Sequence, residues 1–187
     1  GQLSRALNLQ NAGRLTRRMV VGDGPALDVD MRIAVPLVNL DGRSGSYEKD
    51  GAGTLALHGN NTYNNPASIN AGTLLINGST SGQGSYTVTH GATLGGTGTI
   101  GLASGENVTV NGTLAPGGAS TGTLTVDGDM FFGGASTGEL LTEVVGTDHD
   151  VLEINGHLSL LDATFNPQDT GTTSLGAWVN RRKLFAR

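Results

Sequence analysis

The tripeptide Gly-Thr-Leu recurs at Gly53 to Leu55, Gly72 to Leu74, Gly112 to Leu114 and Gly122 to Leu124, and looser versions end in Leu94, Leu140 and Leu158. From Leu55 the leucines at 74, 94 and 114 follow at steps of 19, 20 and 20 residues. A unit that short cannot enclose a core of its own, so it buries its apolar side only by stacking on neighbouring units. A chain built this way is expected to wind into coils of roughly 20 residues. Beyond Leu114 the steps to Leu124, Leu140 and Leu158 become 10, 16 and 18, which predicts a more divergent region there.

The runs between the glycines read as strands. Leu55-Ala56-Leu57, Leu74-Leu75-Ile76, Tyr86-Thr87-Val88, Ile100-Gly101-Leu102, Val108-Thr109-Val110 and Leu124-Thr125-Val126 are short, rich in threonine and branched aliphatics, and bounded by Gly or Asn. Alternation sends the aliphatics inward and the threonines outward, where those of adjacent coils form ladders. No window carries a 3.6-residue period. Asn64 and Asn65, Asn77-Gly78, Asn111-Gly112, Asp127-Gly128 and Asn155-Gly156 are expected to turn the corners through positive φ. Taken locally, an Asn-Gly pair also suits an antiparallel hairpin, but hairpins require no constant period. The expected fold is all-β, a right-handed parallel β-helix.

Residues 27–40 read as a strand with Leu27, Val29, Met31 and Ile33 on one face, while residues 1–25 suit either a short helix or a degenerate first coil with Leu7 and Leu9 inward. The expected organisation is N-terminal coils or a cap over 1–46, the repeat region over 47–165 and a divergent tail over 166–187.

Composition narrows the function. There are 31 glycines but no three-residue period, and only five prolines, which favours tight turns over a collagen-like fibre. The absence of cysteine removes disulfides, thiolate metal sites and a cysteine nucleophile. All sixteen acidic residues lie between Asp23 and Asp169, whereas no Lys or Arg occurs from Asp50 to Asn180. Nucleic-acid binding requires cations along the contact surface, so nucleic acid is not an expected partner. No apolar run reaches the roughly 18 residues of a membrane span, so this segment is not expected to insert in a membrane.

The stretch from Lys49 to Tyr63, Lys-Asp-Gly-Ala-Gly-Thr-Leu-Ala-Leu-His-Gly-Asn-Asn-Thr-Tyr, followed by Ile69-Asn-Ala-Gly-Thr-Leu-Leu-Ile-Asn-Gly78, resembles the autotransporter-associated beta-strand repeat of bacterial passenger regions. Gly91 to Ile100, Leu114-Ala115-Pro116-Gly117 and Gly122 to Val126 are similar to the sequence usually found downstream of that repeat, so the resemblance covers about residues 47 to 165. It departs at Asn64-Asn65-Pro66, where the family has a small residue and glycine, and at Trp178 to Arg187, which do not look like the family. The resemblance implies a secreted or cell-surface protein of the bacterial outer membrane and a structural or adhesive role. The implied partners are a host-cell, glycan or matrix surface and further repeats of the same chain. It brings no catalytic, cofactor-binding or metal-binding residues.

Several residues still invite chemistry. Gly96 to Gly101 fits G-x-G-x-x-G, yet no helix is expected after it and no acidic residue lies near the ribose position, so no cofactor is expected. The calcium nonapeptide would need an aspartate where Ile100 stands. Asp148, His149, Asp150 and Glu153, with Asp127 and Asp129 upstream, form the densest polar group. Asp148 and Asp150 can serve as a cation site or an acid and base pair, which is the chemistry a β-helical polysaccharide hydrolase or lyase would need. Alternatively they bond backbone donors and tie down the turn before Val151 to Ile154. A lyase also needs cations beside the substrate carboxylates, and the core coils have none. His58, His90, His149 and His157 share no ligand spacing. Four N-x-S/T sequons begin at Asn60, Asn77, Asn107 and Asn111 and matter only in a eukaryotic secretory pathway. The expected protein is not an enzyme.

Overall fold

The structure, a computed structural model, describes residues 7–8, 16–25, 28–39, 46–134, 136–145, 147–161 and 163–169. Arg5, Leu9, Arg14, Leu27 and the segment from Trp178 to Arg187 lie outside the described residues. Strands alone make up the regular structure described, and the chain winds as a β-solenoid of about six turns. Each turn visits three parallel sheets in the same order, so that a strand pairs with its counterparts one turn before and one turn after. The parallel pairing results from the period: a coil closing after about 20 residues returns each strand to the same direction.

In the first sheet the recurring leucines stand in register. Met31, Leu55, Leu74, Leu94, Leu114, Leu140 and Phe165 form one column across seven strands, from Met31–Ile33 to Ala163–Asp169. Leu55, Leu74, Leu94 and Leu114 are fully buried, and each such side chain stabilises by about 1.5–3 kcal/mol. One residue earlier, Thr54, Thr73, Thr93 and Thr113 make the outer ladder, continued by Glu139, whose carboxylate accepts a bond from Thr113.

Leu124 and Leu158 lie elsewhere. Leu124 pairs with Leu152 in the second sheet, and Leu158 pairs with Met130 in the third. The irregular steps after Leu114 are therefore corrected: the winding continues, and the motif recurs on other faces of the same coil. The true successor of Leu114 is Leu140.

The second sheet stacks Asn61, Thr80, Ile100, Val126 and Ile154 inward. The third contributes two inward columns, Tyr47, Ala67, Tyr86, Val108, Met130 and Leu158, and Lys49, Ile69, Val88, Val110, Phe132 and Leu160. Ala67 is the small member between two tyrosines, and Tyr63 from the adjoining corner fills the space. Its ring lies 5.9 Å from that of Tyr47, and its hydroxyl is 2.5 Å from that of Tyr86. Burial pushes the pKa of all three phenols up, so they stay neutral.

Two local expectations change. The strand foreseen across 27–40 is broken at the Val35-Pro36 corner into Met31–Ile33 and Leu37–Val38, which belong to different sheets. The Asn-Gly corners do not turn through positive φ at Gly78, Gly112 or Gly156. Glycine is needed there because the coils approach closely: a Cβ on Gly78 would collide with the Gly59 carbonyl oxygen. Gly72 does carry positive φ, at 63°. The hairpin alternative holds only where Val144 and Val145 pair antiparallel with His149 and Asp148; the other described pairings are parallel. In the N-terminal segment Thr16–Val20 is a strand paired with Ser46–Asp50, and Leu7–Asn8 pairs with Leu37–Val38.

The outer face is not uniformly polar. Alternation places Ala56, Leu75, Gly95 and Ala115 outward, yet all four are buried. The Pro116 to Gly122 excursion lies over Leu75, with Gly118 close enough that a Cβ would meet that side chain at 3.1 Å.

Candidate functional site

The acidic group of the last turns is the natural place to look for chemistry. The strand Gly138–Val145 is eight residues long, twice the length of Thr113–Pro116 beside it. Its overhang is paired by Asp148–His149 on the edge that Thr113 and Leu114 leave free. A short hairpin therefore projects from the solenoid, and the chain must return from it to the corner before Val151.

Asp150 makes that return. Its Oδ2 accepts the Glu143 N–H at 2.7 Å and its Oδ1 accepts the Gly122 N–H at 3.0 Å, while its own N–H donates to the Glu143 carbonyl at 2.9 Å. One carboxylate thus ties the base of the hairpin to the preceding coil. Burial pushes its pKa up, and the two backbone N–H groups pull against that. Both oxygens are committed to main-chain donors, the structural role open to an Asp before a strand.

The other acidic residues are dispersed. Asp127 accepts from the Asn155 amide and Asp129 from the His157 N–H. Glu153 stands on the outer row of the second sheet, after Asn60, Ser79, Thr99 and Thr125. Asp148 and His149 are exposed on the hairpin beside a shallow depression shared with Thr121, Gly122, Thr123 and Thr147. Among the described residues no three His, Asp or Glu side chains converge as metal ligands. Asp148 and Asp150 therefore do not form the facing pair that alternation along one strand would produce: Asp148 sits on the hairpin and Asp150 is bonded into its base.

The histidines are equally separate. His58 has a buried Nε2 without a partner, and burial, with Arg32 adding to it, pulls its pKa down. His157 lies against Phe131 with ring centroids 5.9 Å apart, and His90 is exposed. Gly96 to Gly101 spans the corner between Ala92–Gly96 and Thr99–Leu102, so the helix that a dinucleotide fingerprint opens is not there.

The residue that sequence reading passed over is Lys49. It is fully buried, and its ammonium donates to the carbonyls of Asp50, Gly51 and Ala71 at 3.2, 2.9 and 2.9 Å. Burial pulls its pKa down, while the charges of Asp50 and Asp30 push back. A cation at this corner gathers carbonyls from two successive turns. The signal was available: alternation from Tyr47 sends residue 49 inward. At the same corner Asp30 accepts the N–H groups of Gly24 and Thr54, both at 2.7 Å, and Arg18 bonds Asp50 at 2.6 Å. Together these groups tie the first turns to the repeat.

Asp150→Ala is expected to lower stability by about 1–3 kcal/mol, because two part-buried N–H groups lose a charged acceptor. Asp148→Ala, on the exposed hairpin, is expected to stay within about 0.5 kcal/mol of the parent. Urea unfolding of both variants checks the contrast, and equal effects would remove the distinction between pin and surface group.

The comparisons with known proteins point the same way. The passenger-associated-transport-repeat family matches residues 48–76, a stretch that runs over parts of two successive turns and includes Lys49, Leu55 and Leu74. The adhesin BmaC autotransporter of Brucella suis biovar 1 is 48% identical over 59 residues, a stretch that is 31% of this chain and 2% of that protein. No solved structure matches the chain. The chain is thus a β-solenoid whose strands from Ser46–Asp50 to Gly72–Ile76 match the passenger-associated-transport-repeat and which, over about a third of its length, is similar to an autotransporter adhesin.

Proposed function

We propose that this segment is a non-enzymatic stalk of an outer-membrane passenger, which extends the molecule from the bacterial surface and contributes to adhesion to a host-cell, glycan or matrix surface. One observation carries the reading: the positions the repeat supplies are used by the fold itself. Leucines fill the core column, threonines form the outer ladder, and the carboxylate of Asp150 holds backbone N–H groups. Further repeats of the same chain extend the stack, since each turn offers the next a parallel edge.

A stalk tolerates the loss of a whole coil and not of half a coil. In the full-length protein, deletion of residues 73–92 joins Gly72 to Thr93 in register and is expected to preserve surface display and adherence to matrix-coated surfaces. Deletion of residues 73–82 breaks the register and is expected to abolish display. Equal loss in both deletions would count against a stacking spacer. Reducing-sugar release from a polysaccharide by the purified chain, lost in Asp148→Ala, would replace the reading with a hydrolase.

A further inference from the structure

The third sheet turns one aromatic side chain to its outer face. Met130 and Phe132 point inward and are buried, so alternation sends Phe131 outward, into a row that runs Glu48, Ser68, Thr87, Thr109, Phe131 and Ser159. Every other member of that row is polar or charged. Phe131 is half-buried and lies outside the core. His157, exposed in the next turn, stands beside it with ring centroids 5.9 Å apart and planes inclined at 41°. The two rings make one apolar step on an otherwise polar face.

Beside that step the corner between the second and third sheets is hollow. A depression of about 330 Å³ is lined by Leu102, Glu106, Asp127, Gly128, Asp129 and Asn155. Asp129 joins the two features: it lines the depression, stands on the same face of its strand as Phe131, and accepts the His157 N–H with Oδ1 at 2.8 Å. Asp127 accepts the Asn155 amide at 2.7 Å, and one turn earlier the Thr109 hydroxyl donates to Asn107 at 2.9 Å. A carboxylate can accept about four hydrogen bonds, so both aspartates keep acceptor capacity. The amides of Asn107 and Asn155 bring donors and acceptors together.

We propose that this corner is a glycan-binding subsite for a neutral sugar, whose pyranose ring lays its C–H face on Phe131 beside His157 and bonds its hydroxyls to Asp127, Asp129 and Asn155. Sugar hydroxyls donate and accept at once, and so match a set that mixes carboxylates with amides, while the C–H face needs an aromatic surface. A lysine or arginine side chain would use the carboxylates and the ring alone. Charge selects against acidic glycans: Glu106, Asp127 and Asp129 surround the corner, and the described cations Arg17, Arg18, Arg32 and Lys49 stand in the first turns. The inference rests on the adhesive reading above and names the chemistry that one face of the stalk would hold.

Saturation-transfer NMR of the purified chain with cellotetraose, chitotetraose and lactose is expected to show binding of at least one, with transfer to the ring C–H protons. Phe131→Thr, which copies Thr109 in the same row, is expected to weaken that binding about tenfold or more and to leave the urea midpoint unchanged. Phe131→Tyr keeps the ring and is expected to bind as the parent does, whereas His157→Ala, at an exposed position, is expected to weaken binding. A heparin tetrasaccharide is expected not to bind. Absence of transfer to all three sugars would overturn the proposal, as would sugar binding that Phe131→Thr leaves unchanged or heparin binding of equal strength. Binding of tetralysine alone, lost in Phe131→Thr, would overturn it in favour of a basic peptide. The stalk can stand or fall separately: whole-coil deletion that preserves display and adherence, with no sugar bound, removes this subsite and keeps the stalk. Sugar binding lost in Phe131→Thr, with display abolished by both deletions, keeps the subsite and removes the stalk.

Discussion

Leu94→Ala is expected to cost about 2–5 kcal/mol, because it removes a fully buried side chain from the middle of the column and leaves a cavity that two fixed turns cannot close. Leu74 and Leu114 sit directly on either side of it in register, so their own contacts fall with it. The neighbouring Thr93→Ala, on the outer ladder, is expected to cost about 1 kcal/mol or less, the scale of one cross-strand pair. Urea unfolding followed by circular dichroism measures both. Hydrogen exchange then locates the damage: protection is expected to drop first in the strands at 72–76, 92–96 and 113–116, since each turn is supported only by its neighbours. A Thr93 variant as unstable as the Leu94 variant would contradict the assignment of inner and outer faces.

Lys49→Met is expected to destabilise by about 2–4 kcal/mol although it keeps the length and apolar stem of the side chain. A buried cation is costly to desolvate, and replacing one by a hydrophobe is sometimes neutral. Here the acceptors decide the sign. The carbonyls of Gly51 and Ala71 belong to the main chain of two successive turns and cannot leave with the ammonium, so they lose their donor while remaining in place. The Asp50 carbonyl keeps the Val21 N–H and is less affected. Lys49→Arg is not expected to restore stability, because a planar guanidinium cannot point three donors at one cluster of carbonyls as a compact ammonium does. The unfolding midpoint of the two variants tests this, and a Met variant as stable as the parent would show that the three bonds only compensate for burial.

Much of the fold was legible because it depends on repetition. The steps between Leu55, Leu74, Leu94 and Leu114 are long enough for three short strands and too regular for independent hairpins, and the register of those leucines in the structure is the direct result. The later leucines misled for a physical reason. Gly-Thr-Leu marks any strand that begins at a corner with an outward threonine and an inward leucine, and a three-sided coil has three such corners. Leu124 therefore matches the motif without matching the column. In the same way Asn-Gly marks a tight corner, but whether the glycine serves positive φ or close approach depends on the coil below, as the crowding of Gly78 against the Gly59 carbonyl shows.

The acidic cluster was legible as a cluster and not as an arrangement. Asp148 and Asp150 are two residues apart, which on one strand would place them side by side; a hairpin that ends between them separates an exposed carboxylate from a bonded one. By itself the sequence determined that this chain stacks parallel coils with leucine inside and threonine outside, because side-chain alternation and a near-constant period leave few other ways to bury those leucines. Only the tertiary structure decided which side chains serve as links between turns. Lys49, Asp150 and Asn61 each hold at least one partner 18 to 28 positions away, and those partners meet only once the coils are stacked.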